Sequence, residues 1–544
     1  MPLGEAIMAR RRLSTGVCGE RPRTALRRPL ILGAFYGVPE TWAKMDGQPG
    51  LFTKTLCGAG HRACAAQAAA RRAGPETCQQ SRAGKLRARA FRAPAPGLSG
   101  GPPAGAAQRD VCRKRGSVTG GVIVKTSVWL GMVTLVGLCS LAPADDWTRF
   151  RGPDASGVSS DTGTPVRWSQ TERLVWKSRL PGAGASSPII WKDKIFLTAY
   201  SGYGLDVADP GNPDDLRLHM VCVNRTTGQT VWSAEVEPRL PEQRYDAGFI
   251  RLHGYASNTP TTDGERVYAF FGRSGVVAFS MDGQVMWKSF VGDGTHNWGS
   301  GTSPILFEDL VIVNASVESG SIVALDKRTG REVWRTDGIR RSWSTPLVVK
   351  LASGPELVVS LHGKILGLDP RSGQQLWECD GIPDYVCPAV IAHEGVVFIT
   401  GGRSPLTIAV RAGGRGDVTA THMLWRLRKT PKVATPLYYE GLLYWIDQRG
   451  VATCADAQTG KLVYAERLSL QGRGDKVYAS LVYADGKLYG VSRQDGAIVM
   501  ALGPQFKVLA RNHLGDPSVF NATPAVCDGR LFVRSDRYLY CIGR

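Results

Sequence analysis

Ten side chains in the C-terminal three hundred residues have the types expected of a ligand-gathering surface: His253, Asn258, His296, Trp298, Arg341, Trp343, Tyr385, Lys432, Tyr478 and Asn521. Aromatic faces stack on sugar rings, guanidinium and ammonium groups bind carboxylate or sulfate, and amides orient what they hold. Each of the ten lies in a loop just before a short apolar run. The loops read "GAGASSP", "RLHGYASNTP", "GDGTHNWGSGTSP", "GIRRSWSTP", "GIPDYVCP", "RKTPKVATP", "GDKVYASL" and "SVFNATP". The chemistry available is binding. From residue 122 on the sequence contains no G-x-S-x-G elbow, P-loop or H-E-x-x-H, and the eight His of the chain are scattered.

The elements that would position these residues repeat. A pattern of about 44 residues recurs eight times through the last 360 residues, most clearly from Thr302-Ser-Pro304 through "SIVALDKRTGREVW" to Trp334. Matching prolines fall at 188, 260, 346, 388, 436 and 524, and Ser480 stands in their place in "VYASL". Each copy reads as four short strands. The first follows Ser/Thr-Pro, where a missing N–H removes no ladder bond. The second follows an Asp-Gly or Glu-Gly turn, the third is the "VALD" run, and the fourth places an aromatic residue four positions after a Gly. A period in the forties built this way predicts a β-propeller. The expected fold is therefore all-β, with eight blades of four antiparallel strands. Seven blades is the alternative if the stretch Ser480–Leu514, which lacks the Gly/Trp turn, is not a true copy.

The last copy, Thr523–Arg544, has room for only three strands. "RLVWKSRL" (Arg173–Leu180) supplies the fourth and zips the ring shut, leaving only short edges. Asp326, Asp369, Asp456 and Asn224 read as turn-capping scaffold, and the Trp residues after them as packing between blades. Of the six Cys after residue 144, Cys222, Cys454 and Cys541 share a third-strand slot where Ala324 sits in another copy, so they read as buried thiols. Cys379 and Cys387 flank one loop, and a disulfide between them is left open. Two insertions enlarge the first repeat, Ser201–His219 and the stretch "PRLPEQRYDAGFIRLHGYA". Asp206, Asp209, Asp214 and Asp215 in the first read as a solvated acidic loop rather than a Ca²⁺ site.

The net charge of +20 is concentrated at one end. Residues 1–121 carry 21 Lys+Arg against 6 Asp+Glu, leaving 46 against 41 in the rest. A near-neutral folded part argues against nucleic acid as a partner. Residues 1–121 read as a basic disordered or spuriously translated segment. Residues 122–144 follow as a signal peptide, with Lys125, an apolar core and Ala142-Pro-Ala144 before Asp145. Val122 would then be the initiator, and residues 145–544 the mature propeller, periplasmic or extracellular. The apolar stretch from Ser127 to Ala144 is short for a membrane anchor, and Leu138 before Cys139 argues against a lipoprotein site.

The repeats resemble the pyrroloquinoline quinone (PQQ)-type propeller repeat, "DG-x-VY…G…ALD-x-x-TG-x-x-x-W", over roughly residues 147–544. The segment "WTRFRGPDASGVS" (Trp147–Ser159) is similar to the entry motif of exported bacterial PQQ-like propellers of planctomycetes, relatives of the outer-membrane assembly lipoprotein BamB. The quinone enzymes of this family hold PQQ between a Trp and an adjacent-Cys disulfide, with Ca²⁺ on Glu and Asn and an Asp as base. This chain has no Cys-Cys pair. The expectation is thus a monomeric, non-catalytic propeller without cofactor or metal, binding an envelope protein or an acidic polysaccharide at its channel mouth. The alternatives are a PQQ-dependent alcohol or sugar dehydrogenase with PQQ and Ca²⁺, and a BamB-like assembly scaffold.

Overall fold

In the computed structural model, residues 146–544 are described, apart from 247, 471, 473 and 495. The expected basic segment 1–121 and signal peptide 122–144 lie outside the described residues. Among the described residues no helix is long and apolar enough to cross a membrane, and the sole α-helix is the four-residue Thr419–His422.

The third repeat shows how the sequence becomes a blade. Ile305–Phe307, Leu310–Ala315, Ser321–Asp326 and Glu332–Asp337 form one antiparallel meander. Asp326 Oδ1 accepts hydrogen bonds from the backbone N–H of Arg328 and Thr329 at 3.1 and 2.8 Å and from the Thr329 hydroxyl at 2.8 Å. The Thr329 hydroxyl bond holds the Asp326 carboxyl below its usual range. Gly330 then takes φ +73°, a left-handed value that favours glycine. Asp456 with Thr459, and Asn224 with Thr227, repeat the turn.

Eight such sheets are present, so the eight-blade reading holds. The doubtful seventh copy is a full blade, Val482–Ala484, Lys487–Ser492, Gly496–Ala501 and Val508–Asn512. The eighth combines Ala525–Cys527, Arg530–Arg534 and Tyr538–Ile542 with Leu174–Arg179, the closing strand, which pairs antiparallel to Tyr538–Ile542. Gly416–Asp417, in an insertion of the fifth repeat, adds a short parallel fifth strand to blade 4.

The apolar core is a series of layers between neighbouring blades. The outer-strand Trp is the repeating tooth. Trp176, Trp232, Trp287, Trp334 and Trp425 each donate their indole N–H to a carbonyl of the next blade's turn: Arg225, Met281, Lys327, Pro370 and Ala457. Their rings lie on Gly228, Gly283, Gly330, Gly373 and Gly460, where a Cβ would come within 2.7 Å. The glycine is therefore needed twice, for its backbone angle and for the ring above it.

The slot shared by Cys222, Cys454 and Cys541 is explained by register. These residues pair with Trp232, Tyr464 and Trp176, as Ala324 pairs with Trp334. A small side chain is needed opposite a large ring. All six Cys among the described residues are free thiols, so Cys379 and Cys387 are not bridged.

The Ser/Thr before each innermost strand has a structural task. The backbone N–H of Ser187 donates to the Thr259 hydroxyl at 2.9 Å, Thr259 to Ser303 at 3.1 Å and Ser303 to Thr345 at 3.0 Å. Ala389 donates to Thr435, Thr435 to Ser480, Ser480 to Thr523, and Thr523 back to Ser187. The circuit runs once round the axis and corrects two alignments. Ser480 matches the hydroxyl residue, with Leu481 in the proline's place. In the fifth repeat the matching pair is Ala389-Val390, two residues beyond Pro388. Ala389 has no hydroxyl, so the step from Thr345 is the one broken link. Ala389→Ser is expected to restore it and to raise the unfolding free energy by about 1 kcal/mol, measured by urea denaturation.

Candidate functional site

The innermost strands surround a central cavity of about 430 Å³. The hydroxyl circuit lines its waist, since Ser187, Thr259, Ser303, Thr345, Thr435, Ser480 and Thr523 all face it. The cavity is a cup rather than a tunnel, because the segment Trp147–Ser159 passes beneath it. The Trp147 carbonyl accepts from the Ile190 N–H at 2.7 Å and the Thr148 carbonyl from the Thr262 N–H at 3.0 Å, fixing this segment to blades 1 and 2. Towards its other end Gly157 and Ser159 exchange backbone bonds with Tyr483 of blade 7. Between these anchors, Phe150 points into the cavity and forms its floor.

Arg151 pins that floor. Its guanidinium is fully buried and donates to the carbonyls of Ala155, Ser156, Thr435 and Pro436 at 3.2, 2.6, 3.2 and 2.9 Å, and more weakly to Leu481 at 3.5 Å. Burial pushes it down to about 9, opposed by Asp154, so it stays protonated at neutral pH. The entry motif noted in the sequence is thus a plug.

Six of the ten singled-out residues line the cup: His253, Trp298, Trp343, Tyr385, Tyr478 and Asn521. Trp298 is the hub of an aromatic wall. Its ring centroid lies 4.2 Å from Tyr385, nearly perpendicular, 5.1 Å from Trp343 and 5.8 Å from Phe249. Trp343 is locked by its indole N–H donating to the Gly299 carbonyl at 2.8 Å. His253 has both ring nitrogens engaged, with Ser257 Oγ at 2.6 Å and the Trp298 carbonyl at 2.8 Å. Burial holds its imidazole below the usual range, so it contributes no charge to the cup at neutral pH. Tyr478 donates its hydroxyl to Asp475 at 2.8 Å, and the Arg493 guanidinium covers its ring at 4.5 Å. Arg493 also donates to Asn521 Oδ1 at 2.9 Å, while Asn521 Nδ2 donates to the Leu252 carbonyl at 2.7 Å.

The other four are placed elsewhere. Asn258 is buried and donates to the Thr302 carbonyl and to Ser300 Oγ, a brace between blades 2 and 3. His296 stands behind the wall, 4.9 Å from the Trp343 ring, and lines a smaller cavity. Arg341 is exposed and Lys432 half-buried. Both have left-handed backbones, φ +50° and +69°, and neither side chain lines the cup.

Sequence reasoning missed Phe150, Phe249, Cys387, Arg403, Gln448 and Asp475 as lining residues. Arg403 carries the most exposed charge there: its side chain is 74% accessible, 3.4 Å from Asp384, and its guanidinium lies 5.7 Å from the Tyr385 ring centroid. A signal was available for Arg403 and Gln448. In a meander the turns linking second to third strands lie at the same end as the loops entering the first, and both residues occupy such turns. The first-repeat insertions divide. Asp206 and Asp209 cap their own turns, and no cluster of three metal-binding side chains occurs among the described residues. The second insertion supplies Phe249, Leu252 and His253 to the cup, with Ser257 just beyond its end.

Residues 217–461 match the family model described as outer membrane protein assembly factor BamB, a span that runs from the third strand of blade 1 to the third strand of blade 6. Over those residues the chain is similar to the PQQ-like propeller repeat. No curated protein matches the propeller at the sequence level. Among solved structures, it is similar to a europium-containing methanol dehydrogenase at 11% identity and TM-score 0.53, covering 74% of this chain and 98% of that one. It is similar to the quinohemoprotein alcohol dehydrogenase of Comamonas testosteroni at 12% identity and TM-score 0.51, covering 73% and 80%. BamB from Moraxella catarrhalis aligns at 14% identity and TM-score 0.47, covering 68% and 97%. At 11% and 12% identity the two dehydrogenase structures report a shared fold.

The cup lining is a poor match to the quinone site the resemblance implied. It offers a single Cys, Cys387, whose thiol burial pushes up to about 12. Its lone lining carboxylate, Asp475, is occupied by Tyr478, and both ends of the Asn521 amide are engaged.

Proposed function

We propose that this propeller is an exported, non-catalytic binding protein of the cell envelope, and that its cup takes the end of an acidic polysaccharide chain. The observation that carries this reading is the blind aromatic cup itself. A cavity of about 430 Å³ is within the size range of small-ligand sites. It suits a sugar unit or two better than the face of a folded protein. The walls of Trp298, Trp343, Tyr385 and Phe249 present apolar faces to sugar C–H groups. Arg403, at the rim, has donors left for a carboxylate or sulfate. The titratable groups inside are engaged or protonated, which favours holding over turnover.

The test is a direct titration of the full-length chain with alginate, polygalacturonate, heparin and a neutral glucan, followed by calorimetry. Saturable binding of an acidic polymer, with the neutral glucan inert, is expected. Absence of binding to every acidic polymer overturns the reading. A parallel incubation with PQQ and Ca²⁺, then dye-linked oxidation of alcohols and sugars, tests the dehydrogenase alternative; turnover would replace the binding reading.

A further inference from the structure

Behind His296, between blades 2 and 3, lies a cavity of about 20 Å³, room for one water-sized occupant. Glu242, Arg273, Thr295, Ser300 and Glu318 line it. Glu318 is 4% exposed, yet neither of its carboxylate oxygens meets a hydrogen-bond donor in bonding geometry. Leaving a buried carboxylate unpaired is among the most costly arrangements in a protein interior. The Ser300 hydroxyl approaches it and offsets the burial only in part, so the Glu318 carboxyl is pushed up to about 8. Glu242 is pushed up to about 7 by burial as well, although the Gln243 N–H and the Arg273 charge oppose this. Arg273 donates to the Pro241 carbonyl at 2.7 Å. One guanidinium beside two carboxyls could balance only one of them if both were ionised, and a bound cation would supply the missing charge.

The space is kept open by glycine. Gly272 has φ +55°, and a Cβ there would lie 2.8 Å from Ser300 Cβ and 3.2 Å from Glu318 Oε1. The cavity therefore has a charge deficit, room for one small object, and a donor set dominated by hard oxygens. That combination selects a Ca²⁺- or Mg²⁺-type cation over softer metals.

We propose that this cavity binds one hard divalent cation of the Ca²⁺ type, held by Glu318 and Glu242 with the Ser300 hydroxyl. The consequence reaches the cup. Glu242 belongs to the same insertion as Phe249, Leu252 and His253, and Ser300 follows Trp298 in the next mouth loop. A cation joining the two loops stiffens the pair that carries the aromatic wall. The site lies outside the cup, and the proposal stands whether or not the cup binds polysaccharide.

The test uses the full-length chain dialysed against EDTA, then titrated calorimetrically with CaCl₂, MgCl₂ and ZnCl₂. One Ca²⁺ per chain is expected, with a rise in Tm that EDTA reverses. Glu318→Gln should weaken Ca²⁺ binding at least tenfold with an unchanged circular dichroism spectrum, and Glu242→Gln should weaken it in the same direction. The proposal is overturned if the wild-type chain takes up neither Ca²⁺ nor Mg²⁺ and its Tm ignores EDTA, in which case the cavity holds water. Preference for Zn²⁺, or wild-type Ca²⁺ affinity in both variants, overturns it equally.

Discussion

Trp298→Ala combined with Tyr385→Ala should weaken binding of an acidic polysaccharide about a hundredfold, with little change in Tm. Buried aromatic anchors at the centre of a binding site commonly contribute about 2 kcal/mol or more each, and paired ones are not additive. The two rings meet at 4.2 Å, so they form one wall, and removing both deletes it. Stability should survive because these rings face the cup, whereas the inter-blade layers are held by the outer-strand Trp residues. Arg403→Ala should act differently. It should weaken binding of charged polymers several-fold and flatten the salt dependence, since an exposed guanidinium contributes through its charge. Calorimetric titration at low and high salt separates the two. Wild-type affinity in the Trp298/Tyr385 double variant would show that the ligand sits elsewhere.

The second large effect concerns the floor. Arg151→Ala should lower the unfolding free energy by about 3 kcal/mol or more, because it leaves buried carbonyls from three parts of the chain without their donor. Two of those carbonyls, Thr435 and Pro436, begin an innermost strand of blade 6, and two, Ala155 and Ser156, belong to the plug itself. Arg151→Lys keeps the charge but not the forked donor set, and should fall between the two. Urea denaturation reports the stability. The cup supplies an independent readout, since Phe150 is adjacent to Arg151. A loosened plug should lower polysaccharide affinity as well as stability. Unchanged stability in Arg151→Ala would mean that the segment is held by its backbone bonds alone.

What was legible in the sequence was what is local. Most blades are specified by residues within one repeat: an Asp or Asn that caps its turn, a Gly with a left-handed backbone, an aromatic ring four residues on. These patterns announce themselves by recurrence, so the eight blades, the closing strand within Arg173–Leu180 and the third-strand slot for small residues could be read in advance, although the ring opposite that slot could not. The Ser/Thr at the head of each repeat was visible too, although its reason, a hydrogen-bond circuit round the axis, was not.

The site depends on which loops meet, and that is a property of ring closure. Trp298, Tyr385, Tyr478 and Asn521 are separated by scores of residues and converge only because their blades surround one axis. Phe150 joins them from the entry segment, which carries no repeat, and Arg403 from a turn between second and third strands whose position, but not whose partners, the repeat gives. Arg341 and Lys432 have the right chemistry in the right loops, yet their left-handed turns leave them off the cup wall. Glu318, in "ASVESGS", matches none of the repeat's positions. Only the packing of the Glu242 insertion and the Thr295–Ser300 loop over it leaves its carboxylate buried without a partner. The sequence by itself determined the scaffold, because a repeat encodes its own packing. The tertiary structure decided the cup, its plug and the carboxylate cavity, because those are made from parts of the chain that share no local pattern.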